Sequence, residues 1–159
     1  MDRVTAAVAL GSNLGDRRAH LDFAVARLRS FLDGLKVSRY IETDPVGVTE
    51  PQPRYLNAAA VGVTTLTARA LLDALLAIER ERGRERPHPG AARTLDLDLV
   101  LFGDATIDEP GLMVPHPRFR DRRFVLEPLV EIAATLRDPA SQLTVAELLG
   151  RLLRDDVRD

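Results

Sequence analysis

The chain reads as an α+β protein, and three observations lead there. Apolar and polar residues alternate over short runs such as Leu95 to Leu99, the period of a half-buried strand. Elsewhere apolar residues recur three and four apart, as in Leu71, Leu72, Leu75 and Ile78, the period of an amphipathic helix. The runs follow the order strand, helix, strand, strand, helix, strand and a helical tail, which is a split βαβ arrangement.

Val4 to Leu10 is an apolar strand ending in the turn Gly11-Ser12-Asn13. Asp16 is placed to cap a first helix, in which Leu21, Ala24, Val25, Leu28, Phe31 and Leu32 share a face and which Gly34 is expected to end. A second strand is expected over Leu35 to Glu42. Pro45, Gly47, Pro51 and Pro53 then make residues 43–54 an irregular loop. Tyr55 to Thr65 resumes as a strand with Tyr55, Asn57, Ala59, Val61 and Val63 on one face. Thr67 is placed to cap a second helix, and Gly83 to end it; Glu79 prolongs that helix's buried stripe. Pro87, Pro89 and Gly90 interrupt a basic loop over residues 84–92.

The next strand, Arg93 to Phe102, is the centre of the reading. Asp96 and Asp98 point to one face, about 6 to 7 Å apart, while Leu95, Leu97, Leu99 and Leu101 line the other. A turn follows at Asp108 to Gly111. Val114-Pro115-His116-Pro117 excludes regular helix, and Phe119, Phe124, Val125, Leu126 and Leu129 suggest a short helical or bent segment packed on the core. Thr144 and Glu147 form a capping box before Val145, Leu148, Leu149 and Leu152. The sum is a ferredoxin-like βαββαβ sandwich: an antiparallel sheet with helices on one face and an extra C-terminal helix.

With 159 residues, 45% of them apolar and 29% charged, the chain is expected to be one globular domain over 1–159. The net charge of −2 makes nucleic acid and membrane surfaces unsuitable partners by default. Cysteine is absent, which excludes disulfides, thiolate metal sites and a cysteine nucleophile. No apolar run reaches the ~20 residues that span a bilayer, so a soluble, cytoplasmic protein is expected. Charge is local: Lys36 is the one lysine, while Arg80, Arg82, Arg84, Arg86 and Arg93 form one arginine group and Arg118, Arg120, Arg122 and Arg123 another.

Two carboxylates on a strand between arginine groups suit a polyphosphate held through Mg²⁺, in which acids bind the ion and guanidiniums take the remaining charge. Alone, the pair reads better as a solvated strand face paired with Arg93; what tips the balance toward the cation is that Arg84, Arg86 and Arg93 lead straight into it. The rigid mount of His116 between two prolines suits a phosphate contact, or equally a loop histidine bonded to backbone. Tyr55 and Phe124 are able to stack on a flat heterocycle or to pack in the core. Neither Gly-x-x-x-x-Gly-Lys-Ser/Thr nor Gly-x-Gly-x-x-Gly occurs, so an ATP site must be built another way. Within enzymes the runner-up is a Mg²⁺-dependent nucleotide hydrolase; outside them, a non-catalytic nucleotide-sensing module of the same fold.

From about Ala7 to Ala134 the ordered segments Gly11-Ser12-Asn13, Tyr55-Leu56-Asn57-Ala58-Ala59, Ile78-Glu79 with Gly83-Arg84, Arg93-Thr94-Leu95-Asp96-Leu97-Asp98, Val114-Pro115-His116 and Arg122-Arg123-Phe124 resemble the 6-hydroxymethyl-7,8-dihydropterin pyrophosphokinase family of folate biosynthesis. The resemblance implies transfer of pyrophosphate from ATP to the pterin hydroxymethyl oxygen, releasing AMP. It implies two Mg²⁺ ions on Asp96 and Asp98, and Arg84, Arg86, Arg93, His116 and Arg122 at the triphosphate. It places Glu79 and the Leu99 backbone nearer the nucleoside and Tyr55 and Phe124 around the pterin ring. Asn57, Thr43 and the backbones of Gly11 and Val46 fall at the ring's polar edge. ATP and a hydroxymethyl dihydropterin are thus the expected small-molecule partners, and a monomer is expected. The chain departs from the common family pattern at Gly90-Ala91-Ala92-Arg93, where Trp-Gly-Pro-Arg is frequent, and at Leu76 and Asp44.

Overall fold

The computed structural model describes residues 2–44, 53–83 and 94–158. The loop at 84–92, most of the loop at 43–54 and the candidate residues Val46, Arg84, Arg86 and Arg93 therefore lie outside the described residues. The elements are β1 (Val4–Ser12), α1 (Arg17–Leu28), β2 (Asp33–Val37), β3 (Ile41–Thr43), β4 (Tyr55–Thr64), α2 (Ala68–Glu81), β5 (Asp96–Phe102), β6 (Ile107–Glu109), β7 (Leu112–Val114), a 3-10 turn (Phe119–Asp121), α3 (Arg123–Ala133) and α4 (Val145–Arg158).

The main sheet runs β2-β4-β1-β5, with β3 also paired to β4 and every pairing antiparallel. This is the expected split βαβ order. β1 runs through Gly11 and Ser12 instead of turning there, because both residues pair with β4 and Gly11 also pairs with β5. The caps hold as read: Ala19 N–H donates to Asp16 Oδ1 at 3.1 Å and Ala70 N–H to Thr67 Oγ1 at 3.1 Å. Thr144 and Glu147 exchange reciprocal bonds of 3.0 and 3.1 Å. Gly83 takes a positive φ of 75° just past α2, where a side chain would be strained.

Three further expectations need correction. Gly34 does not end α1, which stops at Leu28 in a tight turn; Gly34 lies in β2. The strand expected over Leu35 to Glu42 is two strands, since Ser38 to Tyr40 face only Ala58 and Ala59 on β4. The Ser38 hydroxyl stabilises this bulge by accepting from Ala59 N–H at 2.9 Å and donating to Arg39 O at 2.8 Å. The turn expected at Asp108 to Gly111 is present, as the tip of a hairpin in which β6 pairs with β7 and Gly111 takes φ 76°. Leu101 does not share a face with Leu95, Leu97 and Leu99: Ala7 faces Leu101 and Val8 faces Leu99, so Val100 is an extra residue that reverses the alternation.

The core consequently has two layers. Leu95, Leu97 and Leu99 pack with Leu21, Leu28, Leu71, Leu75 and Ile78 of α1 and α2, the helices on one face. Burying each of these Leu and Ile side chains contributes about 2 kcal/mol. On the other face Ala7, Ala59, Val61, Val100 and Leu101 meet Phe119, Val125, Leu126 and Leu129, together with Val145 and Leu148 of α4. The helices beyond the βαββαβ unit thus cover the sheet's second face. No helix of the described residues is long and apolar enough to cross a membrane.

Candidate active site

The candidate residues converge where the second face emerges from beneath α3. Strand pairing aligns Ile41, Asn57, Gly11 and Asp96 in one row across the sheet, and Ala59, Ala9 and Asp98 in the next. Directly paired residues project to the same side, so Asn57, Gly11, Asp96 and Asp98 share the face on which α3 packs. Thr43 pairs with Tyr55 one step further out.

The absence of a side chain at Gly11 is a packing requirement. A Cβ there would lie 3.2 Å from Asn57 Oδ1 and 3.6 Å from Tyr55 Cδ1. Asn57, 5% exposed, donates from Nδ2 to Thr43 Oγ1, which fixes its amide and turns Oδ1 toward Gly11. Gly11-Ser12-Asn13 is tied to the start of β4 by Asn13 Nδ2 donating to Pro53 O at 3.3 Å. Arg17 reinforces that corner, donating to Arg54 O at 2.9 Å and to Glu42 at 2.6 Å.

Asp96 and Asp98 are half-buried, each between fully packed leucines. Glu79, 2% exposed, reaches from the last turn of α2 and accepts the Leu97 N–H at 2.7 Å. Helix α2 is thereby bonded to the one residue lying between the two acids. Leu99 packs its side chain under the sheet, leaving its backbone as the part at this edge.

Opposite β5 stands His116. Its N–H donates to Val100 O at 2.9 Å, so the bulge that reverses β5 also supplies the carbonyl that seats the histidine. Its Nδ1 accepts the Arg118 N–H at 3.2 Å, which puts the proton of a neutral ring on Nε2. Burial lowers the His116 pKa most, Arg122 and then Arg118 lower it further, and Asp96 acts the other way. The charges of Arg122, Arg118 and Asp96 therefore all bear on the His116 ring. Arg122 lies 5.6 Å from the centroid of the Phe124 ring, which is half-buried against the α3 layer.

Gly11, Thr43, Tyr55, Asn57, Glu79, Asp96, Asp98, Leu99, His116, Arg122 and Phe124 thus gather at one end of the sheet's second face and its β5 edge. Arg118 and Arg17, which the motifs do not single out, also lie at this end. Arg118 was visible in the sequence as one of four clustered arginines; Arg17 carries no local signal, since its partners are 25 and 37 residues away. Among the described residues no three His, Cys, Asp or Glu side chains cluster as a metal-ligand set. Two carboxylates on one strand face are the kind of oxygen donors that could hold a cation such as Mg²⁺, which completes its shell with phosphate and water oxygens.

Fold and site together define a class: an α+β sandwich with an acid pair at the edge strand of its sheet beneath a cationic run, suited to a phosphorylated ligand. Residues 7–134 match the family model for 7,8-dihydro-6-hydroxymethylpterin-pyrophosphokinase, and the chain belongs to that family. By membership it is a pyrophosphokinase, a transferase, and the hydrolase and sensing readings are not favoured. It is 44% identical over 136 residues to 2-amino-4-hydroxy-6-hydroxymethyldihydropteridine pyrophosphokinase of Bacillus subtilis, covering 84% of this chain and 81% of the relative. Identity to the Pseudomonas aeruginosa protein of the same name is 43% over 137 residues, covering 83% and 82%. Among solved structures, an HPPK-DHPS in complex with substrates superposes with TM-score 0.79 at 12% identity, over 99% of this chain and 45% of that one. The Plasmodium falciparum HPPK-DHPS wild type gives 0.75 at 14% identity, over 96% and 45%. The chain spans about half the length of those solved chains, and at such identities they bear on the fold alone.

Proposed function

We infer that the chain transfers the pyrophosphoryl group of ATP to the hydroxymethyl oxygen of 6-hydroxymethyl-7,8-dihydropterin in folate biosynthesis, releasing AMP and a proton. One observation carries the reading: the row Asn57, Gly11, Asp96 sets a fixed amide, a gap without a side chain and an acid side by side on one sheet face. A flat ring lying over Gly11, with its polar edge on Asn57 and Thr43, has its substituent directed toward the acid pair. Tyr55 and Phe124 are the aromatic faces available to hold that ring.

Asp96 and Asp98 would hold Mg²⁺, which supplies charge neutralisation on the phosphates when bound. We assign two ions to the pair. The protein's own residues do the rest. A neutral His116 with its proton on Nε2 donates to a phosphate oxygen, and Arg122 takes phosphate charge, as would Arg84, Arg86 and Arg93. Glu79 and the Leu99 backbone lie on the nucleoside side. The pterin hydroxyl oxygen attacks the β-phosphorus as the bond to the α-phosphate oxygen breaks in line, a reaction that needs alignment and neutralisation more than a strong base. The 159 residues act as one domain, in the cytoplasm and as a monomer; among the described residues only Leu14 and Met113 are large exposed apolar side chains.

The test is product analysis. Protein, ATP, Mg²⁺ and the hydroxymethyl pterin should yield AMP and pterin diphosphate in equal amounts. Formation of ADP, or of AMP without pterin, would contradict the reading.

A further inference from the structure

His116 and Arg122 bound a short run that contains the single turn Phe119–Asp121, and Arg122 ends it as the N-cap of α3, its carbonyl accepting the Val125 and Leu126 N–H groups at 2.9 and 3.0 Å. The run is anchored at its start by the His116 bond to Val100 O. At its middle Phe119 is fully buried in the α3 and α4 layer. Arg120 lies over the Phe119 ring, 4.8 Å from its centroid, and its fork closes on Asp138: Nε to Oδ2 at 2.5 Å and the terminal nitrogen to Oδ1 at 2.7 Å.

Asp138 is built to receive it. The residue is 0% exposed, and its carboxylate also accepts the Ser141 hydroxyl at 2.8 Å and the Ala140 N–H at 3.1 Å. Its own N–H donates to Leu143 O at 2.9 Å and its carbonyl accepts the Gln142 N–H at 2.8 Å, which locks it into the connection between α3 and α4. Arg122 follows Arg120 by two residues: its backbone is held as the N-cap of α3, its side chain makes no capping bond there, and the run fixes the side from which the chain enters the helix. Asp138 lies outside residues 7–134, the segment that matches the family model.

A planar fork satisfies a carboxylate bidentately in a single geometry, so this pair fixes direction as well as position. We propose that Arg120 and Asp138 are positioning residues for the triphosphate: a clamp between the end of the sheet's second layer and the run, which sets where His116 and Arg122 point without itself meeting ATP. The proposal rests on the reading of His116 and Arg122 as triphosphate contacts. Phe124, already inside α3 and packed on its layer, is held independently of the clamp.

Kinetics with ATP and pterin varied separately, on the full chain and beside a thermal melt, test it. Arg122→Ala sets the signature, a rise in the ATP KM of about tenfold. Asp138→Asn should reproduce a rise of about tenfold with the pterin KM held within about twofold, and Arg120→Lys, which keeps the charge and loses the fork, should give about threefold. A clamp that serves stability alone would lower the Tm of both clamp variants and leave the ATP KM in place. That outcome, alongside the Arg122→Ala rise, overturns the proposal while sparing the triphosphate reading. An unchanged ATP KM in Arg122→Ala overturns both. Where Asp138→Asn does not fold, Arg120→Lys decides alone.

Discussion

The two walls of the site are held by different means. The floor, Asn57, Gly11, Asp96 and Asp98, is positioned by strand register: once β1 pairs with β4 and β5, each side chain's face follows. The facing run, His116 to Arg122, has no register and depends on Val100 O, the Phe119 pocket and Asp138 and, at its end, on the N-terminus of α3. Register tolerates the loss of a side chain without moving its neighbours. An irregular run does not, so substitutions on the floor should remove a function locally, and substitutions behind the run should misdirect residues they never touch.

Breaking the floor should have the largest effect. Asp98→Ala is expected to reduce pyrophosphoryl transfer about 10³-fold, measured as AMP formation, with little change in Tm because β5 is held by its leucines. Gly11→Ala separates the floor's two halves. Its methyl would press on Asn57 and Tyr55, raising the pterin KM about tenfold and sparing the ATP KM in the same assay.

The anchors behind the run give the pH-dependent prediction. Burial pushes the Asp138 carboxyl up, but the Arg120 guanidinium, the Ser141 hydroxyl and the Ala140 N–H outweigh it and hold the group at about 2, below the ordinary 3.8. A depressed carboxyl stabilises the fold above its unfolded value and ceases to as pH falls through the folded one. Wild type should therefore exceed Asp138→Asn by about 2 kcal/mol at pH 7 in urea denaturation, with the gap closing between pH 4 and pH 2. The smallest effect belongs to neither wall: Thr144→Ala removes the α4 capping box, costing about 1 kcal/mol of stability and leaving both KM values unchanged.

The same contrast explains what the sequence discloses. The alternation in β4 and at the start of β5, the helical spacing in α2 and the caps at Asp16, Thr67 and Thr144 are local patterns, and they suffice for the βαββαβ order and the placing of Asp96, Asp98 and Glu79. Motif resemblance supplies the remaining named residues. The extra residue at Val100 leaves no local mark, because Leu99-Val100-Leu101-Phe102 is apolar whichever face each residue takes. Ser38 is likewise an ordinary polar strand residue until Ala58 and Ala59 are set opposite the bulge. Arg120 and Asp138 are eighteen residues apart with no periodic relation, so their pairing exists only in the folded chain.

In the proposed arrangement the acid pair on β5 holds the cation that carries the triphosphate. Counting Mn²⁺ bound in place of Mg²⁺ by electron paramagnetic resonance, with a non-hydrolysable ATP analogue and the pterin present, tests this most directly. The account predicts two ions bound per wild-type chain and loss of at least one in Asp98→Ala. Equal occupancy in the two proteins would contradict it.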